Sequence, residues 1–244
     1  MVNTIQAALK ARSCVKIISG LNNFDRAQVA RVVRAAQQGG ATYVDIACDR
    51  ELVALAKKMS PLPVCVSAVT APELAQAIHW GADLVELGNF DSFYAQGRLF
   101  GAEEVLALTR ETRALLPQGT LLTVTVPHTL TLVEQVHLAQ ALVQAGADCL
   151  QTEGGTSAQP QQGGTLGLIQ KAAPTLASAY ELSRAVEIPV LCASGLSVVT
   201  IPMALAAGAC GVGVGQAINR LNDEVAMAAT VRSLVEAVPQ LIRV

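Results

Sequence analysis

The chain has 244 residues, of which 52% are hydrophobic, 15% charged and only 3% aromatic. A net charge of −2 and the lack of a basic stripe argue against nucleic acid or an anionic membrane surface as a partner. Pro and Gly interrupt the one long uncharged stretch, residues 188–219, so we expect no membrane span. No signal or transit peptide is recognisable, and the six scattered cysteines are expected to be buried free thiols in a reducing compartment.

One pattern occurs four times, at Gly40, Gly81, Gly146 and Gly208. In each copy, a helix-like run ends in Gly-Ala and a short apolar run follows at once. Glycine suits the position after a helix, where the backbone turns left-handed. Regular alternation of helix and strand predicts parallel strands covered by helices, because each return connection must cross the sheet.

Eight short apolar runs are predicted strands, and eight strands in strict alternation favour a closed (β/α)8 TIM barrel over an open doubly wound sheet. No linker divides the chain, so we expect a single domain over residues 1–244, with an extra N-terminal helix over residues 3–11 closing the bottom of the barrel. The predicted strands are Val15–Ser19, Tyr43–Ala47, Val64–Ala68, Leu84–Leu87, Leu121–Val126, Cys149–Glu153, Val190–Ser194 and Gly211–Val214.

Two connections are longer than the fold requires. Residues 88–102 follow the fourth strand and contain four of the seven Phe and Tyr residues. Three interpretations of these aromatic residues are open: they cover the substrate, they pack against another subunit of a homo-oligomer, or they anchor the loop. Residues 154–173 follow the sixth strand and are predicted to be a loop, with Pro174 at an early position of the next helix.

Small residues follow the last two strands, where this architecture commonly binds phosphate through backbone N–H groups. The predicted phosphate ligands are Ser194, Gly195, Ser197, Gly213, Gly215 and Gln216. The alternative is that these glycines only permit tight turns.

Four charged residues lie within or at the end of predicted strands: Lys16, Asp45, Glu86 and Glu153. An unpaired ion under the helix layer is costly, so these side chains should point into the barrel mouth, where water, a ligand or one another can satisfy them. A lysine among carboxylates could form a Schiff base or donate a proton, with a carboxylate as general base. A structural ion-pair network is the alternative, and a divalent cation held by the three carboxylates is a weaker one. We predict that the protein uses neither a metal nor a cofactor; a metal ion and a flavin are the alternatives.

His128 follows the fifth strand and is a candidate acid, base or ligand, although bonding to a loop is the simpler alternative. The candidate substrate-lining residues are Asn22, Ser67, Asn89 and Gln151. No zinc-ligand spacing, nucleophile elbow or Walker pattern is present.

Six segments together carry a family resemblance: residues 20–25, 44–47, 86–94, 123–130, 151–155 and 192–197. The chain resembles the ycf family number twenty-three of cyanobacteria and red-algal plastids over almost its whole length. The resemblance implies an aldolase-type barrel in a cytoplasmic (cyanobacterial) or plastid-stroma location, but no reaction. A looser similarity of the last two strands to thiazole synthase and tryptophan-synthase α barrels implies phosphate binding only.

The first functional hypothesis is a lyase, synthase or isomerase acting on a small phosphorylated metabolite. The second is a non-catalytic sensor or assembly protein that keeps a phosphate pocket.

Overall fold

The computed structural model describes residues 2–238 and forms a closed barrel of eight parallel strands. Each strand is hydrogen-bonded to the next in chain order, and the eighth closes the ring on the first, with Lys16 paired to Gly213. The predicted (β/α)8 architecture is therefore confirmed. The predicted domain limits of 1–244 stay a prediction, since residues 239–244 lie outside the described part.

The eight strands agree with their predicted limits within two residues. The largest difference is at the sixth strand, which ends at Gln151, so that Glu153 lies just beyond it. The strands are β1 Cys14–Gly20, β2 Tyr43–Ala47, β3 Val64–Ala68, β4 Leu84–Leu87, β5 Leu122–Thr125, β6 Cys149–Gln151, β7 Val190–Ala193 and β8 Gly211–Val214.

Helices cover the barrel and are bounded by local capping interactions. The Asp25 side chain accepts hydrogen bonds from the first turn of α2, and Thr131 and Glu134 form a capping box on α7. The helices are α1 Val2–Lys10, α2 Arg26–Gly39, α3 Arg50–Met59, α4 Ala71–His79, α5 Asp91–Tyr94, α6 Ala102–Leu115, α7 Leu132–Gln144, α8 Gly164–Ala185, α9 Ile201–Ala206, α10 Gln216–Asn219 and α11 Glu224–Glu236.

The prediction of a loop over residues 154–173 was wrong in its second half. Helix α8 starts at Gly164, so Pro174 lies inside the helix rather than in its first turn. Burial of Gly167, Ala172 and Thr175 against the barrel outweighs the weak helix propensity of the glycines and the proline.

The predicted N-terminal helix is present as α1, beneath the barrel. Its Ile5 and Leu9 pack against the inward residues at the amino ends of the strands, including Tyr43, Leu84 and Leu191. This bottom layer is apolar, whereas the next layer up contains Lys16, Asp45 and Glu86. The polar part of the interior is thus displaced towards the carboxyl ends of the strands, where TIM-barrel sites lie.

All six cysteines are free, and four of them are buried. Among residues 2–238, no helix combines the length and the apolar character needed to cross a bilayer.

Candidate functional site

A buried ion cluster occupies the middle of the barrel, formed by Lys16 on β1, Asp45 on β2 and Glu86 on β4. The Lys16 Nζ lies 2.5 Å from Glu86 Oε2 and 3.2 Å from Asp45 Oδ2, and it donates to Gln151 Oε1 at 3.0 Å. The ammonium therefore donates two hydrogen bonds, to Glu86 and Gln151, and forms an ion pair with Asp45. No part of the Lys16 side chain is exposed to solvent.

The electrostatics of the cluster keep the ammonium charged. Burial alone lowers the pKa of Lys16, but the carboxylates of Asp45 and Glu86 outweigh it and raise the pKa above its ordinary value. Burial raises the pKa of Glu86, and the Lys16 charge opposes that rise. One ammonium group is thus shared by two carboxyl groups in the cluster.

The side-chain amides of Gln151 and Asn89 bond to this cluster and line the cavity above it. Gln151 Nε2 donates to Glu86 Oε1 at 2.6 Å, so both ends of that amide are fixed. Asn89 Nδ2 donates to Ser67 Oγ at 3.0 Å and to Glu86 Oε1 at 3.1 Å. Asn89 has a left-handed φ of 62°, and within residues 2–238 its Oδ1 has no hydrogen-bond partner.

A second carboxylate site lies one layer higher, at Glu153. Its Oε1 accepts from the Tyr94 hydroxyl and from the His128 backbone N–H at 3.2 Å, and its Oε2 accepts from the Asp91 N–H at 3.1 Å. His128 Nδ1 lies 3.3 Å from Oε1. Glu153 thereby ties the loops after β4 and β5 to the barrel.

Burial is the main reason that the pKa of Glu153 is raised, and the hydrogen bond from His128 opposes the rise. Burial, together with the Glu153 charge, also raises the pKa of Tyr94, which therefore stays protonated as a donor. Glu153 is therefore a buried carboxyl group with a raised pKa. This property suits a general acid or base.

Glu153, Gln151 and Asn89 line a cavity of about 370 Å³ at the carboxyl ends of the strands. Its other side is formed by the loops after β7 and β8. Ser194 and Gly195 are both left-handed there, with φ of 75° and 74°. Left-handed backbone at a non-glycine residue is strained, and such strain concentrates at functional sites.

The loop after β7 is held tightly in place. A Cβ at residue 155 would lie 2.4 Å from the Gly195 nitrogen, so glycine at 155 is what permits the two loops to meet. The Ser194 hydroxyl donates to Asp91 Oδ2 at 3.0 Å and accepts from the Thr156 N–H at 3.0 Å. The loops after β4, β6 and β7 thus meet around one side of the cavity.

Two cations that sequence reasoning missed also line this cavity. Lys171 on α8 donates to the Ala158 carbonyl at 3.0 Å, and Arg220 follows α10 and donates to Gln216 Oε1 at 3.2 Å. Arg220 could have been found from its place four residues after Gln216. Lys171 was hidden because its helix was expected to begin later in the chain.

The predicted site residues divide into two sets. Those that line the cavity are Asn89, Gln151, Glu153, Ser194, Gly195, Ser197, Gly215 and Gln216. Lys16, Asp45 and Glu86 lie below it, and His128 contacts it through Glu153. Asn22 and Ser67 lie instead beside a separate cavity of about 110 Å³.

Gly213 is not among the residues that line the cavity, and its place in the phosphate set stays a prediction. It is an interior residue of β8, and a Cβ there would lie 2.9 Å from the Ala193 Cβ. Its small size serves packing inside the barrel.

The aromatic residues of the 88–102 connection anchor it. Phe90 and Phe100 are both buried and their ring centroids are 4.3 Å apart. Anchoring thus accounts for these two rings, while Tyr94 contacts Glu153.

No group of three or more His, Cys, Asp or Glu side chains with metal-binding geometry occurs among residues 2–238. Lys16 lies between Asp45 and Glu86, where a cation would have to sit.

Residues 1–242 match the family described as "Protein of unknown function (DUF561)". The chain belongs to this family. It is 42% identical to the uncharacterized protein ycf23 of Pyropia yezoensis, over 88% of this chain and 79% of that protein. It is 41% identical to ycf23 of Cyanophora paradoxa, over 91% of each chain.

Solved structures with the same fold include several aldolase-type barrels. An aldolase named QR15 gives a TM-score of 0.62 at 16% identity, over 93% of this chain and 94% of that one. A 3-hexulose-6-phosphate synthase gives 0.64 at 17% identity, over 93% and 100%. A geranylgeranylglyceryl phosphate synthase of Thermoplasma acidophilum gives 0.60 at 13%, over 97% and 96%. At these identities, the comparison establishes the fold.

Proposed function

We propose that the protein is an enzyme of the lyase, synthase or isomerase type that acts on a small phosphorylated metabolite. One observation carries the proposal: a single cavity brings the Glu153 carboxyl group together with two cations and two glycine-containing loops. The geranylgeranylglyceryl phosphate synthase was solved with its substrate sn-glycerol-1-phosphate, so this fold accommodates such ligands.

The phosphate is assigned to the loops after β7 and β8. Backbone N–H groups at Gly195, Gly215 and Gln216 and the Ser197 hydroxyl supply neutral donors, and Lys171 and Arg220 supply positive charge. The loops after the last two strands are the usual phosphate site of a TIM barrel.

Proton transfer is assigned to Glu153, with His128 and Tyr94 holding its carboxyl group. Lys16, Asp45 and Glu86 are assigned as positioning residues. A buried ammonium that is held charged by two carboxyl groups lacks the lone pair that a nucleophile needs. Its place in the mechanism is to fix the Gln151 and Asn89 amides that face the substrate.

Binding without turnover is the second candidate, and one observation favours it. Both Glu153 oxygens already accept hydrogen bonds from the protein, which suits a carboxylate that anchors loops.

In either case we infer a cyanobacterial-cytosol or plastid-stroma location, supported by the ycf23 relatives. A homo-oligomer stays a prediction.

Phosphate binding is tested by thermal unfolding with inorganic phosphate and dihydroxyacetone phosphate. A ligand at one hundred times its Kd stabilises by about 2.7 kcal/mol, which raises the Tm of a chain of this size by about 5–11 °C. Arg220→Met and Lys171→Met should each weaken binding about threefold to tenfold, whereas the exposed control Lys58→Met should not. Absence of any shift with both ligands would overturn the phosphate assignment.

Turnover is tested by NMR in deuterated water. An enzyme that works on carbonyl chemistry exchanges the hydrogens next to the carbonyl of the bound ligand, and Glu153→Gln should abolish that exchange while leaving phosphate binding in place. Binding without exchange would identify a sensor.

A further inference from the structure

A second, larger cavity lies at the opposite end of the barrel, between α1 and the amino ends of the strands. We call it the basal cavity. It measures about 540 Å³, within the range of roughly 300–1,000 Å³ that is typical of small-molecule sites. Apolar side chains form most of its wall: Ile5, Leu9, Leu84, Leu121 and Leu191.

Two hydroxyl-bearing residues line the basal cavity: Tyr43 on β2 and Thr123 on β5. Tyr43 is 1% exposed and Thr123 is 3% exposed. Within residues 2–238, neither hydroxyl bonds to another protein group, and neither oxygen is among the fully enclosed atoms without a partner, so both open onto the cavity. A hydroxyl that faces a cavity without a protein partner is free to donate to an acceptor on a molecule inside it.

The charges at the cavity rim indicate what kind of molecule enters. Lys10 and Arg12 are balanced there by Asp148 and Glu187. Arg12 and Asp148 are already engaged, with the Ala209 carbonyl and with Arg113 respectively. A balanced rim around an apolar wall favours a ligand without net charge.

We propose that the basal cavity is a second ligand site, which takes a neutral, mostly apolar molecule whose carbonyl oxygen accepts hydrogen bonds from Tyr43 and Thr123. Burial raises the pKa of Tyr43 well above its ordinary value, which keeps the hydroxyl a donor at neutral pH. Helix α1 covers the site through Ile5 and Leu9. The site is independent of the phosphate cavity at the other end of the barrel.

The test compares acetophenone with ethylbenzene, which have similar shapes but differ in the carbonyl oxygen. Isothermal titration of the full chain should give tighter binding of acetophenone by about threefold to tenfold, the contribution of an ordinary hydrogen bond. The double variant Tyr43→Phe/Thr123→Val should lose that preference and keep its affinity for ethylbenzene. Both substitutions remove only unpartnered hydroxyls, so the variant is expected to fold.

Two controls locate the binding. Arg220→Met, at the far end of the barrel, should leave the acetophenone affinity unchanged. A crystal of the parent protein soaked in acetophenone should show it against Tyr43 and Thr123. The proposal is overturned if the parent binds the two probes equally or binds neither. It is equally overturned if the soaked crystal shows acetophenone elsewhere, or only water in the basal cavity.

Discussion

Replacing Lys16 by Met removes the only cation of the buried cluster and keeps a side chain of similar length. The distances of 2.5 Å to Glu86 and 3.2 Å to Asp45 correspond to gross attractions of about 7 and about 5 kcal/mol at an effective dielectric constant of about 20. Most of this attraction offsets the cost of burying three ions. Breaking such a pair typically costs about 3–5 kcal/mol.

The pH dependence of the Lys16→Met variant follows from the same reasoning. Two buried carboxylates without a cation favour uptake of a proton, so the already raised pKa of Glu86 rises further. A carboxyl group that is held protonated in the folded state, with an ordinary pKa of 4.5 when unfolded, costs about 3.4 kcal/mol at pH 7 and under about 1 kcal/mol at pH 5. Stability of the variant therefore falls as the pH rises, by about 1.4 kcal/mol per unit.

The measurement is urea unfolding of parent and variant between pH 5 and pH 8. At pH 7 the Tm should also drop by about 6–20 °C. The exposed control Lys58→Met should change the unfolding free energy by less than about 0.5 kcal/mol. Adding Glu86→Gln to Lys16→Met should remove most of the pH slope. The assignment of a charged, ion-paired cluster would be refuted if Lys16→Met lost less than about 1 kcal/mol of unfolding free energy at pH 7. It would also be refuted if that loss were the same at pH 5 and pH 8.

Three further predictions concern the loops. Phe100→Ala should cost about 3–5 kcal/mol in urea unfolding because the ring is buried and stacked, and a loss under about 1 kcal/mol would show that the 88–102 connection is not anchored by it. Gly155→Ala should weaken phosphate binding at least about tenfold, because the added methyl group displaces the 194–197 loop. The control Gly163→Ala should not weaken it, because a Cβ at residue 163 meets no atom within 4 Å. Equal phosphate Kd values for the two variants would contradict this prediction. Burial raises the pKa of Glu153, so the parent loses stability as the pH rises from 4.5 through the raised value. Glu153→Gln should flatten that part of the stability–pH curve, and an unchanged slope would argue against the shift.

The sequence predicted the barrel because its signals were local and repeated. Gly-Ala pairs mark helix ends, and parallel strands buried on both faces appear as continuous apolar runs. The start of α8 could not be predicted, because Gly164, Gly167 and Pro174 all lower helix propensity and only packing against the barrel compensates.

The grouping of charged residues was predictable, but their depth was not. The cost of trapping a charge beneath the helices predicted that Lys16, Asp45 and Glu86 point into the barrel mouth, and the structure brings them together deeper inside the barrel. Periodicity fixes which face a side chain occupies and says nothing of how far below the mouth it lies. Lys171 and Arg220 come from segments beyond the strand ends, so no strand pattern could indicate that they reach the same cavity.

The distribution of cations gives the upper cavity an electrical polarity. Lys171 and Arg220 attract an anion towards the β7–β8 side, whereas the Lys16 ammonium under Gln151 and Asn89 is already paired with Asp45 and Glu86. A ligand with one negatively charged end therefore binds in one preferred orientation, which is set before any reaction step. The selection of orientation comes from the field of the barrel itself, so it weakens as ionic strength increases.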